Sequence, residues 1–93
     1  LKNKFNLVIS DLAPNLTGIS SIDEENIFEL NLLTLKVAKT FLVSNGLFII
    51  KTFQNSNLKK FRKEMEKNLK IVQTAKPAAS KKQSKEIYLY GIN

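Results

Sequence analysis

The chain has 93 residues, 43% hydrophobic and 25% charged, the balance of one small globular domain rather than a disordered segment. It has no cysteine and no histidine. That excludes disulfides, thiolate metal sites and histidine acid–base chemistry, so any proton transfer must run on Asp, Glu, Lys or Tyr.

The net charge of +7 is unevenly spread. Residues 1–58 carry five Lys and five acids, whereas residues 59–85 carry ten Lys/Arg against Glu64 and Glu66. A one-sided excess of this kind favours a polyanionic partner, nucleic acid before anionic membrane. The plain alternative is a solvated face in a lysine-rich chain. No apolar run approaches the roughly 20 residues of a membrane span. The apolar stretch near the start is broken at Asp11, so it is no signal peptide, and a cytoplasmic setting is expected. The chain opens at Leu1 and runs straight into a strand pattern, which suggests a protein that begins earlier.

In chain order, Phe5–Asp11 is rich in β-formers and continuously apolar at its middle, as in a buried parallel strand. A turn-rich loop, Asp11–Gly18, follows. Ser21 and Glu24 have the spacing of a capping box, with Asp23, Glu24 and Glu25 at the positive end of the helix dipole. The spacing predicts a helix from about Ile22 to Val43. One apolar stripe is Ile27, Leu30, Thr34, Val37 and Phe41; a second is Phe28, Leu32, Leu35 and Leu42. Asn45-Gly46 is expected to end it.

Leu47–Phe53 reads as a second strand, with Lys51 interrupting a run that otherwise reads as core. Asn57 can cap a second helix, with Leu58, Phe61, Met65 and Leu69 on its apolar face. Lys70–Ala75 is a weaker third strand. Lys76–Lys85 is a basic loop, and Glu86–Ile92 a fourth strand. Strands alternating with helices imply an α/β sheet, mainly parallel, with helices on its faces. No helix separates the last two strands, so they should be antiparallel neighbours. There is no GxGxxG and no GxxxxGK[ST].

Ligands of open α/β sheets lie outside the carboxyl ends of the strands. Asp11 falls there, either facing a ligand or simply solvated as a turn former. Lys51 either snorkels from the core strand, or is held partly desolvated beside a carboxylate, or faces water at an edge. Glu86 opens the last strand. If that strand is antiparallel, topology gathers Asp11, Lys51 and Glu86 at one rim; otherwise Glu86 only pairs with a surface lysine. Tyr88 and Tyr90 share a strand face and read as packing residues more than as base-stacking platforms.

Three segments together resemble a family. Ser10-Asp11-Leu12-Ala13-Pro14-Asn15 with Thr17-Gly18 resembles the SDMAPN-x-SG loop of FtsJ-like methyltransferases. Ile50-Lys51-Thr52-Phe53-Gln54 resembles their VKVFQ strand, and Lys76-Pro77 through Ser80-Lys81, Ser84, Glu86 and Tyr88 their KPxxSRxxSxExY segment. Lys81 stands where that pattern has Arg, keeping the charge but losing the bidentate fork for phosphate.

The resemblance implies that residues 1–93 form the C-terminal half of a Rossmann-like, S-adenosylmethionine-dependent methyltransferase sheet, the N-terminal half holding most of the cofactor. It implies a Lys-Asp-Lys-Glu set, of which Asp11, Lys51 and Glu86 match, with Asp11 also facing the cofactor. It implies a ribose 2′-OH of RNA as acceptor, foremost a uridine of 23S ribosomal RNA in the large subunit. Lys76, Lys81, Lys82 and Lys85 would grip RNA, no membrane would be involved, and the full enzyme would be monomeric. The fragment alone would be inactive. Alternatives are another RNA such as tRNA, a non-catalytic basic RNA-binding remnant of the same fold, or an unrelated basic α/β domain in which the three residues do not converge.

Overall fold

The computed structural model describes residues 4–11, 16–75 and 86–93. Its elements are β1 (Phe5–Ser10), α1 (Ser20–Phe41), β2 (Leu42–Phe53), α2 (Leu58–Asn68), β3 (Ile71–Ala75) and β4 (Glu86–Ile92). The sheet order is β1-β2-β4-β3. β1 and β2 pair in parallel, and β4 is antiparallel to both β2 and β3. Three strands therefore share one direction and the last runs against them, which is the mainly parallel arrangement expected. β3 and β4 are the expected antiparallel neighbours.

Both crossovers, through α1 and through α2, step across the sheet in the same direction, so connections of one hand place both helices on one face. The core shows it. Leu35 and Ala38 of α1 and Phe61 and Met65 of α2 pack together with Phe48, Ile50, Ile87 and Leu89 of the sheet. The expectation of helices on the sheet faces narrows to one face among the described residues. The other face carries Leu7, Ile9, Ile49, Lys51, Phe53, Tyr88 and Tyr90. Leu7 and Ile9 are 47% and 61% exposed there.

Two predicted boundaries shift. The first helix ends at Phe41 rather than Val43: Leu42 is already extended, and its amide closes the last turn on the Ala38 carbonyl. Asn45-Gly46 thus lies inside β2 and does not end the helix. Phe5 faces Leu42 and Leu7 faces Leu47, so residues 43–46 bulge from the ladder. Asn45 takes the left-handed conformation at φ 67°. A Cβ on Gly46 would come within 2.9 Å of the Val43 carbonyl in the same bulge and 3.3 Å of the Asn6 carbonyl of β1, so the folding of the bulge on itself calls for glycine and β1 adds to the crowding.

The apolar stripe also differs. The buried row of α1 is Ile27, Asn31, Leu35 and Ala38, running between the two predicted stripes. Val37, from the first of them, is 45% exposed. Asn31 escapes an apolar pattern because it is polar, yet its Nδ2 donates to the buried Thr52 Oγ1 at 2.8 Å. That pairing makes its burial tolerable. On α2 the predicted face holds: Phe61, Met65 and Leu69 are buried and Leu58 packs beside them.

Candidate functional site

β1 and β2 are parallel, so Asp11, just beyond β1, and Lys51, near the end of β2, approach one rim. β4 runs the other way, so its first residue reaches the same rim. Glu86 lies opposite Phe53, and Tyr88 opposite Lys51. The Lys51 ammonium lies 2.5 Å from Asp11 Oδ1 and 3.7 Å from Glu86 Oε2. The three sequence candidates converge. That is not the outcome for an unrelated domain, nor for Glu86 merely pairing with a surface lysine.

Lys51 is the least accessible of the three, its side chain 16% exposed against 63% for Asp11 and 43% for Glu86. Burial lowers a lysine pKa and a nearby carboxylate raises it. Here the hydrogen bond to Asp11 is the largest effect and exceeds the burial penalty; the charges of Asp11 and Glu86 add to it. Lys51 is therefore held above its ordinary value and is an ammonium at rest. It can hold an oxygen by donating hydrogen bonds. To accept a proton it must first pass one on, and Asp11 is in contact to take it.

The expected capping box does not form. The N-cap position is Ile19, with no side-chain bond to the helix amides. The first-turn acids are used elsewhere because the preceding loop folds back over the helix end. Asp23 Oδ1 accepts from Thr17 N at 2.7 Å and Thr17 Oγ1 at 2.8 Å, and Asp23 Oδ2 accepts from Gly18 N at 3.1 Å. The Thr17 amide chiefly pulls the Asp23 pKa below its ordinary value. Glu24 accepts from Ser56 Oγ, and its backbone carbonyl accepts from Asn57 Nδ2. Asn57 so ties α2 to α1 instead of capping its own helix. Sequence reading noted Asp23 only as a helix-dipole partner, and Glu24 as that and as the far half of the capping box. The Thr17-Gly18 pair beside Asp23 was the available signal.

The exposed face of α2 carries Lys59, Lys60, Lys63 and Lys67. Arg62 is committed elsewhere: it pairs with Glu66 at 3.5 Å and donates to Thr74 Oγ1 and the Val72 carbonyl, fastening α2 to β3. Lys76, Lys81, Lys82 and Lys85 lie outside the described residues. Tyr88 and Tyr90 are half-buried on the Lys51 side of the sheet. No group of three or more potential metal-ligating side chains occurs among the described residues, and no described helix is long and apolar enough to cross a membrane.

A model of the FtsJ-like methyltransferase family matches residues 1–93. Ribosomal RNA large subunit methyltransferase E of Wigglesworthia glossinidia brevipalpis is 38% identical over 93 residues, covering 100% of this chain and 46% of its own length. The protein of the same name from Bdellovibrio bacteriovorus is 42% identical over 89 residues, covering 96% and 45%. The crystal structure of a ribosomal RNA methyltransferase from Plasmodium falciparum superposes with a TM-score of 0.84 at 26% identity, over 99% of this chain and 48% of that one. The chain spans about half the length of the relatives it matches.

Proposed function

Because this chain belongs to the FtsJ-like methyltransferases, we propose that it supplies the acceptor-activating half of an enzyme that methylates a ribose 2′-OH of ribosomal RNA, foremost a uridine of the large subunit. Residues 1–93 then form part of a larger domain. The observation that carries the reading is the contact of Lys51 with both Asp11 and Glu86 at the ligand end of the sheet.

A ribose hydroxyl is a poor nucleophile near neutral pH and must be oriented and relieved of its proton. Lys51, fixed by two carboxylates, would donate to the 2′-oxygen and orient a lone pair. Lys51 would first pass one of its own protons to Asp11, and from there to water, and then take the hydroxyl proton as the oxygen gains the methyl carbon and the donor's carbon–sulfur bond breaks to leave a neutral thioether. Glu86 is a positioning residue that limits where Lys51 can swing.

S-adenosylmethionine, the methyl donor of this chemistry, carries a cationic sulfonium. The Asp11 carboxylate suits it in charge and remains 63% exposed while bound to Lys51. The exposed lysines of α2, with Lys76, Lys81, Lys82 and Lys85, would hold phosphates through point charges.

The test is methyl transfer from S-adenosylmethionine to hypomethylated ribosomal RNA by the whole protein, read as 2′-O-methylnucleosides by mass spectrometry. Lys51→Ala should abolish transfer, Asp11→Ala should lower it strongly and Glu86→Ala less. An unchanged rate in Lys51→Ala would overturn the reading.

A further inference from the structure

A cleft of about 200 Å³ opens beyond the carboxyl ends of β1 and β2. One wall is Leu16 with Ser20, Asp23, Glu24 and Ile27 of α1; the other is Phe53, Gln54 and Asn55. Phe53 follows Lys51 by two residues in the same strand, roughly 7 Å along it and on the same face. That is the scale of a sugar and its base. A nucleotide with its ribose at Lys51 would bring its base, or a neighbour's, to this cleft.

The two walls are unequally fixed. Phe53 belongs to β2 and is paired opposite Glu86. Leu16–Gly18 has no ladder to hold it. It is held by the one Asp23 carboxylate, through Thr17 N, Thr17 Oγ1 and Gly18 N. A further bond, Ile19 N to Thr17 Oγ1 at 3.1 Å, makes the threonine hydroxyl a relay between helix and loop. Asp23 is itself anchored, because its amide donates to the Ile19 carbonyl at 2.9 Å and opens the first turn of α1. Gly18 sits at φ 87°, a conformation that glycine adopts freely and that turns its amide toward the carboxylate.

We propose that Asp23 is a positioning residue for the RNA substrate, holding Leu16 at the wall of this cleft, through Thr17 and Gly18, in the place a nucleotide needs. The inference rests on the ribose-methylation reading for what enters the cleft. Asp23 touches neither the ribose nor Lys51. It acts through Thr17 and Gly18, so its loss should be felt in RNA binding rather than in the transfer step.

The experiment measures, in the whole protein, the Kd for a ribosomal RNA oligonucleotide and single-turnover methyl transfer at saturating RNA. Four variants are compared: Asp23→Ala, Asp23→Asn, Thr17→Val and Thr17→Ser. Asp23→Ala should weaken RNA binding about tenfold while the saturated transfer rate stays within about threefold, a loss of about 1.4 kcal/mol in binding alone. Asp23→Asn keeps an acceptor for Thr17 but turns an NH₂ toward Gly18, and should fall between Ala and wild type. Thr17→Val loses two bonds, the one to Asp23 Oδ1 and the one from Ile19 N, and should weaken binding about threefold; Thr17→Ser keeps every donor and should match wild type. If Asp23→Ala does not fold, the Thr17 pair decides. A lower melting temperature with unchanged Kd would reduce Asp23 to a structural role and overturn the proposal. Should the wild type bind RNA but transfer no methyl, the ribose-methylation reading fails and the Kd series still judges Asp23. A wild type that binds no RNA overturns both.

Discussion

The two faces of the sheet are built by alternate residues of the same strands, yet they do different work. Phe48, Ile50 and Thr52 of β2 point into the helices and are at most 2% exposed. Their neighbours Ile49, Lys51 and Phe53 point the other way and stay partly open. On the covered face, polar groups are admitted only in satisfied pairs, such as Asn31 with Thr52. On the open face a lysine is tolerated because it sits at the rim with two carboxylates and access to water. A charge can be reactive only where packing stops, and the pleat delivers that change of environment between residues 50 and 51.

Several substitutions would break or sharpen this contrast. The largest effect is expected at Lys51. Lys51→Arg keeps the charge but cannot pass a proton on, so transfer should fall about 10³-fold or more, nearly as far as with Ala. Near-normal single-turnover rates in that variant would leave Lys51 only a fixed charge. Next, Phe48→Ala removes the centre of the covered face and should destabilise by about 3–5 kcal/mol, measured by urea unfolding. A loss below about 1 kcal/mol would mean that this face is not the core.

A smaller effect separates polarity from packing. Asn31→Ala strands the Thr52 hydroxyl in a buried site and should cost about 1–3 kcal/mol, whereas the double change Asn31→Leu with Thr52→Val should recover most of it. If the double variant is the less stable, the pair does more than satisfy itself.

The Lys51 pKa sets a fourth outcome. It is raised in the fold, chiefly by the Asp11 hydrogen bond. The ion pair's contribution to stability is thus complete below the ordinary value of 10.5 and is lost only as pH climbs beyond it. Wild type should lose stability relative to Lys51→Met above pH 10.5 and not between pH 7 and 10. A gain in stability relative to Lys51→Met as pH rises from 8 to 10 would show the lysine depressed instead. The smallest effect belongs to the open face: Ile9→Thr, at a site 61% exposed, should change the stability of this chain by less than about 0.5 kcal/mol. In the whole protein a cost above about 1 kcal/mol would reveal a segment covering that face.

Sequence alone was enough to place β1 and β4, though not the start of β2. Phe5, Glu86 and Ile92 bound runs whose β-branched and aromatic content admits little else, and the alternation in β4 put Tyr88 and Tyr90 on one face. It also brought the site within reach. A lysine inside an apolar strand, an acid at a strand end and another acid at an antiparallel strand start can meet only at one rim.

Other features depended on partners distant in the chain. The helix end moved to Phe41 because Leu42 and the 43–46 bulge answer to β1 and to Asn93, whose backbone exchanges hydrogen bonds with Asn45 and Gly46. Local punctuation at Asn45-Gly46 could not register that. Asn31 joined the core because Thr52, 21 residues away, supplied its acceptor. Asp23 and Glu24 left the helix end for the loops at Thr17 and Ser56, because carboxylates take the best-placed donors, and those were set by the packing of α1 beside β2 and α2. The sign of the Lys51 shift was likewise a tertiary matter. Burial and a carboxylate pull it in opposite directions, and only the 2.5 Å approach of Asp11 decides which prevails.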